Sequence, residues 1–179
     1  ISGFNEYEKI LNFFGYQRFG SRRPITHLVG KSIIQKDYQK AIHFLLDFCS
    51  DYDTDYNNAN RKIIAERTSN SSIIQNIPKS MDIEISILKE LSETNDMKLA
   101  VRAIPLQMRR FYIQAYQSYI FNKTLSEAFD YGEELFVAKE GDVCFDRNFM
   151  LGKFQNDPSQ KLSIPLVGHS YYAKTRFDF

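Results

Sequence analysis

The stretch Leu106 to Phe129, LQMRRFYIQAYQSYIFNKTLSEAF, decides the fold class. At 100° per residue Met108, Phe111, Tyr112, Ala115 and Tyr119 fall on one stripe, and Ile113, Tyr116 and Ile120 widen it on one side. A helix apolar over so much of its girth belongs near the middle of a domain. On the opposite side Arg110, Gln114, Gln117 and Phe121 form a polar face edged by an aromatic ring. Two uses fit that face: a hydrogen-bonded interface with further polypeptide, or support for a binding site.

Working outward, the chain reads as mostly helical. Tyr7, Ile10, Leu11 and Phe14 have helical spacing, so a short helix is expected over 5–14. A helix can start between Pro24 and Gly30. Tyr38, Ala41, Ile42, Leu45, Leu46 and Phe48 predict an amphipathic helix after Asp37, whose carboxylate suits an N-cap. Residues 57–67 and 82–93 predict two more, separated by a Ser- and Asn-rich loop from Thr68 to Lys79. Beyond Gly132 the pattern changes. Leu135-Phe136-Val137-Ala138 and Val143-Cys144-Phe145, divided by Lys139-Glu140-Gly141-Asp142, predict a β-hairpin, and 162–167 predicts a short strand.

The segment least like a repeating element is Asn12-Phe13-Phe14-Gly15-Tyr16-Gln17-Arg18-Phe19-Gly20. Gly15 and Gly20 supply backbone freedom and close approach. The four rings offer stacking faces, Arg18 can contact phosphate or stack, and Asn12 and Gln17 can hydrogen-bond base edges. That combination points to RNA before it points to a metabolite.

Composition bounds the alternatives. The chain has 179 residues, 43% apolar and 25% charged, with a net charge of +1, which is the ordinary globular range. Global charge therefore does not mark a nucleic-acid protein. Local charge is more suggestive: Arg18, Arg22 and Arg23 follow the aromatic segment, Arg109 and Arg110 open the long helix, and Lys174 and Arg176 lie in the tail. Each is equally readable as a solvated surface cation. Cys49 and Cys144 form no C-x-x-C pattern, and no apolar run approaches the roughly twenty residues that span a bilayer.

Other constellations fail in detail. Asp51-Tyr52-Asp53-Thr54-Asp55 imitates the opening of a calcium loop, but Tyr56 stands where the turn glycine belongs and Lys62 where the bidentate glutamate belongs. A solvated loop with Asp55 capping the next helix is the better expectation. His27, His43 and His169 are scattered, and His43 with Asp47 reads as a local surface pair. No P-loop, G-x-S-x-G or G-x-G-x-x-G is present, so hydrolase, kinase and dehydrogenase readings have no foothold.

Two ordered motifs carry a family resemblance. Asn12 to Gly20 resembles the N-Y-F-G-x-Q-R-F-G segment of the TruD-type pseudouridine synthases, with Phe13 replacing Tyr. Arg109-Arg110 followed by Ala115-Tyr116-Gln117-Ser118-Tyr119-Ile120-Phe121-Asn122 resembles that family's R-R-x-x-x-x-A-Y-Q-S-Y-L-F-N helix. Arg23-Pro24-Ile25-Thr26-His27 and Ile164-Pro165-Leu166-Val167-Gly168 add weaker likeness. The G-x-K-D-x-x-A-x-T-x-Q motif that carries the family's catalytic aspartate has no counterpart, and Lys36-Asp37 lacks its surroundings.

The resemblance implies an α+β chain, mainly helical, with a small β-hairpin element: residues 1–23 as an active-site loop segment of a synthase core and 24–179 as a helical insertion domain. It implies part of an enzyme that isomerises uridine to pseudouridine in tRNA or other structured RNA. The attacking Asp would lie outside this chain, which alone would be inactive. Asn12, Phe14, Gly15, Gln17 and Arg18 would serve the active site and RNA, with Phe14 stacking on the extruded base. Phe13, Phe19, Arg110 and Gln117 would support them, Phe13 and Phe19 reading also as ordinary core anchors. The remainder of the catalytic domain is the implied protein partner, and no metal or organic cofactor is implied. With no signal peptide and no spanning run in the sequence, no membrane is expected and the parent should be cytosolic, or nuclear if eukaryotic. A non-catalytic helical RNA-binding or protein-interaction module is the alternative.

Overall fold

A computed structural model describes residues 10–67, 71–164 and 166–168. The chain packs as two units: 15–116, here the helical unit, and 117–179 together with 1–14, here the sheet unit.

In the helical unit the order is α1 (Tyr16–Phe19), α2 (Thr26–Ile34), α3 (Tyr38–Leu46), α4 (Asp55–Arg67), a 3-10 segment (Ser71–Asn76), α5 (Asp82–Thr94), α6 (Met97–Ala103) and the first part of α7 (Leu106–Asp130). Local chemistry explains most of the boundaries. Asp37 caps α3 by accepting the Lys40 N–H at 3.1 Å. α5 ends at Asn95, in the left-handed region at φ 51°, and Asp96 then caps α6 through the Lys98 and Leu99 amides. Pro105 forces Ile104 into an extended conformation, which stops α6, and α7 starts one residue later. Arg109 Nε donates to the Ile104 carbonyl at 3.0 Å and closes that corner.

Val29, Leu46, Ile64, Ile87, Ala100 and Ile104 are essentially sealed from solvent and form the core, with Tyr112 of α7 against them. At Gly30 the backbones of α2 and α7 approach so closely that any Cβ would strike the Tyr112 carbonyl.

The sheet unit holds the rest of α7 and a three-stranded antiparallel sheet, order β2-β1-β3, from β1 (Val143–Phe145), β2 (Leu151–Lys153) and β3 (Lys161–Leu162). Cys144 pairs with Gly152 on one side and Leu162 on the other. The Asp146 carboxylate accepts the Asn148 and Met150 amides, both at 2.8 Å, and so builds the turn between β1 and β2. Leu125, Ala128 and Leu135 form a small core.

The mainly helical class with a small β element is as the sequence implies, and the predicted helices over 37–48, 57–67, 82–93 and 106–129 are present. Several expectations are corrected. Residues 10–14 are not helical; 5–9, His169, Lys174 and Arg176 lie outside the described residues. Tyr16–Phe19 forms a single helical turn. The Ser- and Asn-rich loop contains the 3-10 segment, and α6 is an unpredicted helix. Leu135–Ala138 is not a strand: Leu135 is buried as a core plug from irregular chain, and the hairpin instead joins β1 to β2. The predicted strand over 162–167 begins at Lys161 and stops at Leu162.

Candidate functional site

The aromatic motif of residues 12–20 divides between the two units after Phe14, so each part is described where it packs.

In the sheet unit, Phe14 is held by a side-chain amide on α7. The Phe14 N–H donates to Asn122 Oδ1 at 2.9 Å, and Asn122 Nδ2 donates to the Phe14 carbonyl at 2.9 Å. Its ring meets Phe121 at 5.5 Å between centroids and 77° between planes, the edge-to-face geometry aromatic quadrupoles favour. Phe121 and Asn122 project here from one helix onto one residue 108 positions away from Asn122. Asn12 and Phe13 are exposed. Phe13 is therefore not the core anchor that one reading made it. Gln117 donates its side-chain N–H to the Val167 carbonyl at 2.9 Å and ties the end of the described chain to α7.

In the helical unit, Gly15 precedes α1, and the Arg18 and Gly20 amides donate to the Gly15 and Tyr16 carbonyls. An open pocket of ≈630 Å³ is lined by Gly15, Tyr16, Gln17, Arg18 and Phe111. The Arg18 guanidinium carbon lies 5.7 Å from the Phe111 ring centroid, within cation–π range. Tyr16 is 86% exposed beside it. Among the described residues nothing lies within 4 Å of a Cβ built on Gly15, so the backbone there is open. Phe19 turns inward and meets His27 edge-on at 5.3 Å. Burial holds the His27 imidazole below its ordinary value. Arg110 is exposed.

Behind this loop lies a buried charge network. Arg23 Nη2 donates to the Phe44 and Leu45 carbonyls at 2.6 and 2.9 Å, in the last turn of α3, and Nη1 meets Glu84 Oε1 at 3.3 Å. Arg61 bridges the same Glu84 oxygen (3.4 Å) and Asp53 (2.7 Å). The side chains are 13% (Arg23), 6% (Arg61), 10% (Glu84) and 2% (Asp53) exposed. Arg23 is thus no surface cation. Burial, then the neighbouring Arg61, lowers its pKa against the opposing pull of Glu84 and Asp53. Burial alone would push the Asp53 carboxyl up; bonds from Asn57 and the Thr54 amide, with Arg61, hold it below its usual range. The sequence's imitation calcium loop is this anchor. Its helix cap is Thr54, whose hydroxyl accepts the Asn57 N–H at 3.2 Å, and not Asp55. His43 and Asp47 form the expected surface pair at 2.7 Å. Among the described residues, no group of three or more His, Cys, Asp and Glu side chains could hold a metal ion.

Of the sequence candidates, Gly15, Gln17 and Arg18 share one pocket, and Asn12 and Phe14 adjoin each other in the sheet unit. Phe111 and Asn122 are the additions. Both stand inside the helical motif already singled out, but a residue's spacing on its own helix does not disclose a partner about a hundred positions away.

These features define a mainly helical α+β chain that presents an aromatic, cationic loop. The sequence model of tRNA pseudouridine synthase D (TruD) matches residues 2–163. The chain belongs to the TruD family. It is 35% identical over 136 residues to the Methanocaldococcus jannaschii protein named "Probable tRNA pseudouridine synthase D 1", covering 76% of this chain and 34% of that one. It is also 35% identical over 175 residues to an Archaeoglobus fulgidus relative named "Probable tRNA pseudouridine synthase D", covering 88% and 43%. A crystal structure from Methanosarcina mazei, described under the name tRNA pseudouridine synthase D (TruD), superimposes with a TM-score of 0.69 at 28% identity, over 83% of this chain and 36% of that one. The chain spans about a third of the length of the first curated relatives it matches.

Proposed function

We propose that this chain is part of an enzyme that isomerises uridine to pseudouridine in tRNA, with the attacking aspartate supplied by polypeptide outside it. The observation that carries the reading is the pocket of Gly15, Tyr16, Gln17, Arg18 and Phe111. It is built from the two motifs shared with the family, and its side chains are of the types that stack on bases and bind phosphate. The relatives' names supply the RNA class.

Chemically, uridine must leave its stack, the aspartate must attack the sugar or take a proton from it, and uracil must rotate and rejoin through carbon. Extrusion costs a few kcal/mol and stacking on an aromatic ring returns roughly 1–3 kcal/mol per base. Phe14 is the candidate ring for that stacking, Asn12 bonds near the reacting nucleotide or orients the aspartate, and Gln17 and Arg18 brace the loop or the RNA backbone. Arg110 and Gln117 support the loop or the adjoining protein, and no cofactor is required.

Residues 1–23 belong with the catalytic core and 24–179 form the insertion domain. The rest of that core is the protein partner. In support, Phe129, Phe149, Met150 and Leu151 of the sheet unit are each more than half exposed, and β2 is exposed along its length, as surfaces that await a covering partner are. A tRNA substrate puts the enzyme in the cytoplasm or a eukaryotic nucleus. No described helix is long and apolar enough to cross a membrane.

The test is to incubate the full-length protein, and this chain alone, with unmodified tRNA transcript and to detect pseudouridine by carbodiimide labelling and primer extension. The full-length protein converts a uridine and the chain alone does not. No product from the full-length protein, or turnover by the chain alone, overturns the reading.

A further inference from the structure

The four-residue helix α1 carries Gln17 and Arg18, yet it places no residue in the core. Its backbone hydrogen bonds are local, Arg18 N–H to Gly15 and Gly20 N–H to Tyr16, and among its ties to other helices are the ring contacts of Phe19 with His27 of α2 and of Arg18 with Phe111 of α7. The polypeptide just beyond α1 is anchored differently. Gly20 sits at φ 96°, where a Cβ would strike the Arg23 carbonyl oxygen and lie 3.1 Å from the Thr26 hydroxyl, so the turn is folded tightly onto the Arg23 peptide. The same carbonyl accepts the Ile25 N–H at 2.7 Å. The Arg23 side chain then runs inward to two carbonyls at the end of α3 and to Glu84 of α5. It is the nearest residue after the pocket loop that is tied to several helices at once.

We propose that Arg23 is a positioning residue for the pocket loop: its buried guanidinium pins the Gly20 turn to α3 and α5, and this sets where Arg18 and Gln17 stand opposite Phe111. The proposal rests on the reading of residues 15–18 as part of the uridine site. Arg61 is the natural control, because it shares Glu84 and is also largely shielded from solvent, but belongs to α4 and holds Asp53 rather than the loop.

The experiment compares R23Q, R23K and R61Q in the intact chain by amide hydrogen exchange and, in the full-length enzyme, by steady-state turnover of tRNA. R23Q raises exchange at the Arg18 and Gly20 amides about ten-fold over its effect on α5 and α6 amides, as local opening requires. R61Q raises exchange across the unit without singling out the loop. R23K, which keeps a cation able to reach one carbonyl, restores part of the loop protection. In the full-length enzyme R23Q lowers kcat/KM on the order of 10–100-fold, the cost of a misplaced binding loop, while R61Q stays near wild type. If R23Q and R61Q give the same pattern at matched stability, Arg23 is only a core strut and the proposal fails. If the wild-type enzyme makes no pseudouridine, the functional reading fails, and the exchange comparison still decides the role of Arg23.

Discussion

Asn122 pairs with Phe14 through both of that residue's backbone groups, N–H to Oδ1 and carbonyl to Nδ2, each at 2.9 Å. A primary amide has one acceptor and one donor side, as a peptide group does, so a single helical side chain bonds the chain as a neighbouring strand would.

Asn122→Ala removes both bonds and leaves two part-buried backbone groups without these partners. The expected loss is about 1–3 kcal/mol by urea denaturation. Asn122→Asp keeps the acceptor for the Phe14 N–H but cannot donate to the carbonyl, so it should fall between wild type and Ala. An Asn122→Ala midpoint within error of wild type would refute the role.

Gly30→Ala tests the crossing of α2 over α7. The methyl group would meet the Tyr112 carbonyl, and neither backbone can yield cheaply, so about 3 kcal/mol of stability should be lost. Gly132→Ala is a useful comparison, since among the described residues nothing lies within 4 Å of its added Cβ and the strain comes from its φ of 73°. Thermal melts of the two variants should separate the two causes.

Stability should fall at both ends of the pH scale for identifiable reasons. Asp53 is held below its ordinary 3.8, so under pH 3.8 the unfolded chain takes up a proton that the folded chain refuses, and stability declines as pH falls through that window. Tyr112 is pushed up to about 12, by burial first and the Glu84 charge second. Between pH 10 and 12 the unfolded chain has lost that phenolic proton and the folded chain keeps it, so stability declines as pH rises. The loss approaches about 2–3 kcal/mol. Tyr112→Phe should abolish that alkaline share in urea titrations at about pH 9 and about pH 11.5, on either side of most of that proton loss. An unchanged difference would exclude Tyr112 as its source.

Arg18→Gln in the full-length protein should weaken tRNA binding and reduce the slope of log affinity against log salt by about 1, as loss of one phosphate contact does. A slope that does not change would rule out a phosphate contact by Arg18. Phe14→Ala should instead depress turnover with the fold intact, read by circular dichroism beside a single-turnover assay.

Where local chemistry governs, the sequence is legible. Asp37 before a clean apolar face predicts α3 and its cap, and the long stripe predicts α7. Legibility stops where an element is shorter than its own period. β1 to β3 have two or three residues each, and Leu151-Gly152-Lys153 has no alternation to detect, whereas Leu135–Ala138 looks like a strand because its chain is apolar. α6, only seven residues long, owes its limits to Asp96 and Pro105 more than to any pattern. Tyr119, placed on the buried stripe by its angle, is 38% exposed, because a helix wheel does not know where the neighbouring elements end. For the candidate site, the Arg18 loop is apparent from residue type, but the role of Arg23 is not. Its partner Glu84 is 61 positions away, and a cation's fate depends on such a partner.

The Asn122 bond has one more consequence, for a segment that spells the same side chain twice. Phe13 and Phe14 are chemically identical, so hydrophobic matching cannot say which of them should face α7, and a slip of one residue would present the other ring with no loss of apolar character. The amide settles the choice by gripping one residue's backbone on both sides. One asparagine acts as the alignment key, deciding which of two equal phenylalanines goes to Phe121 and which to the surface.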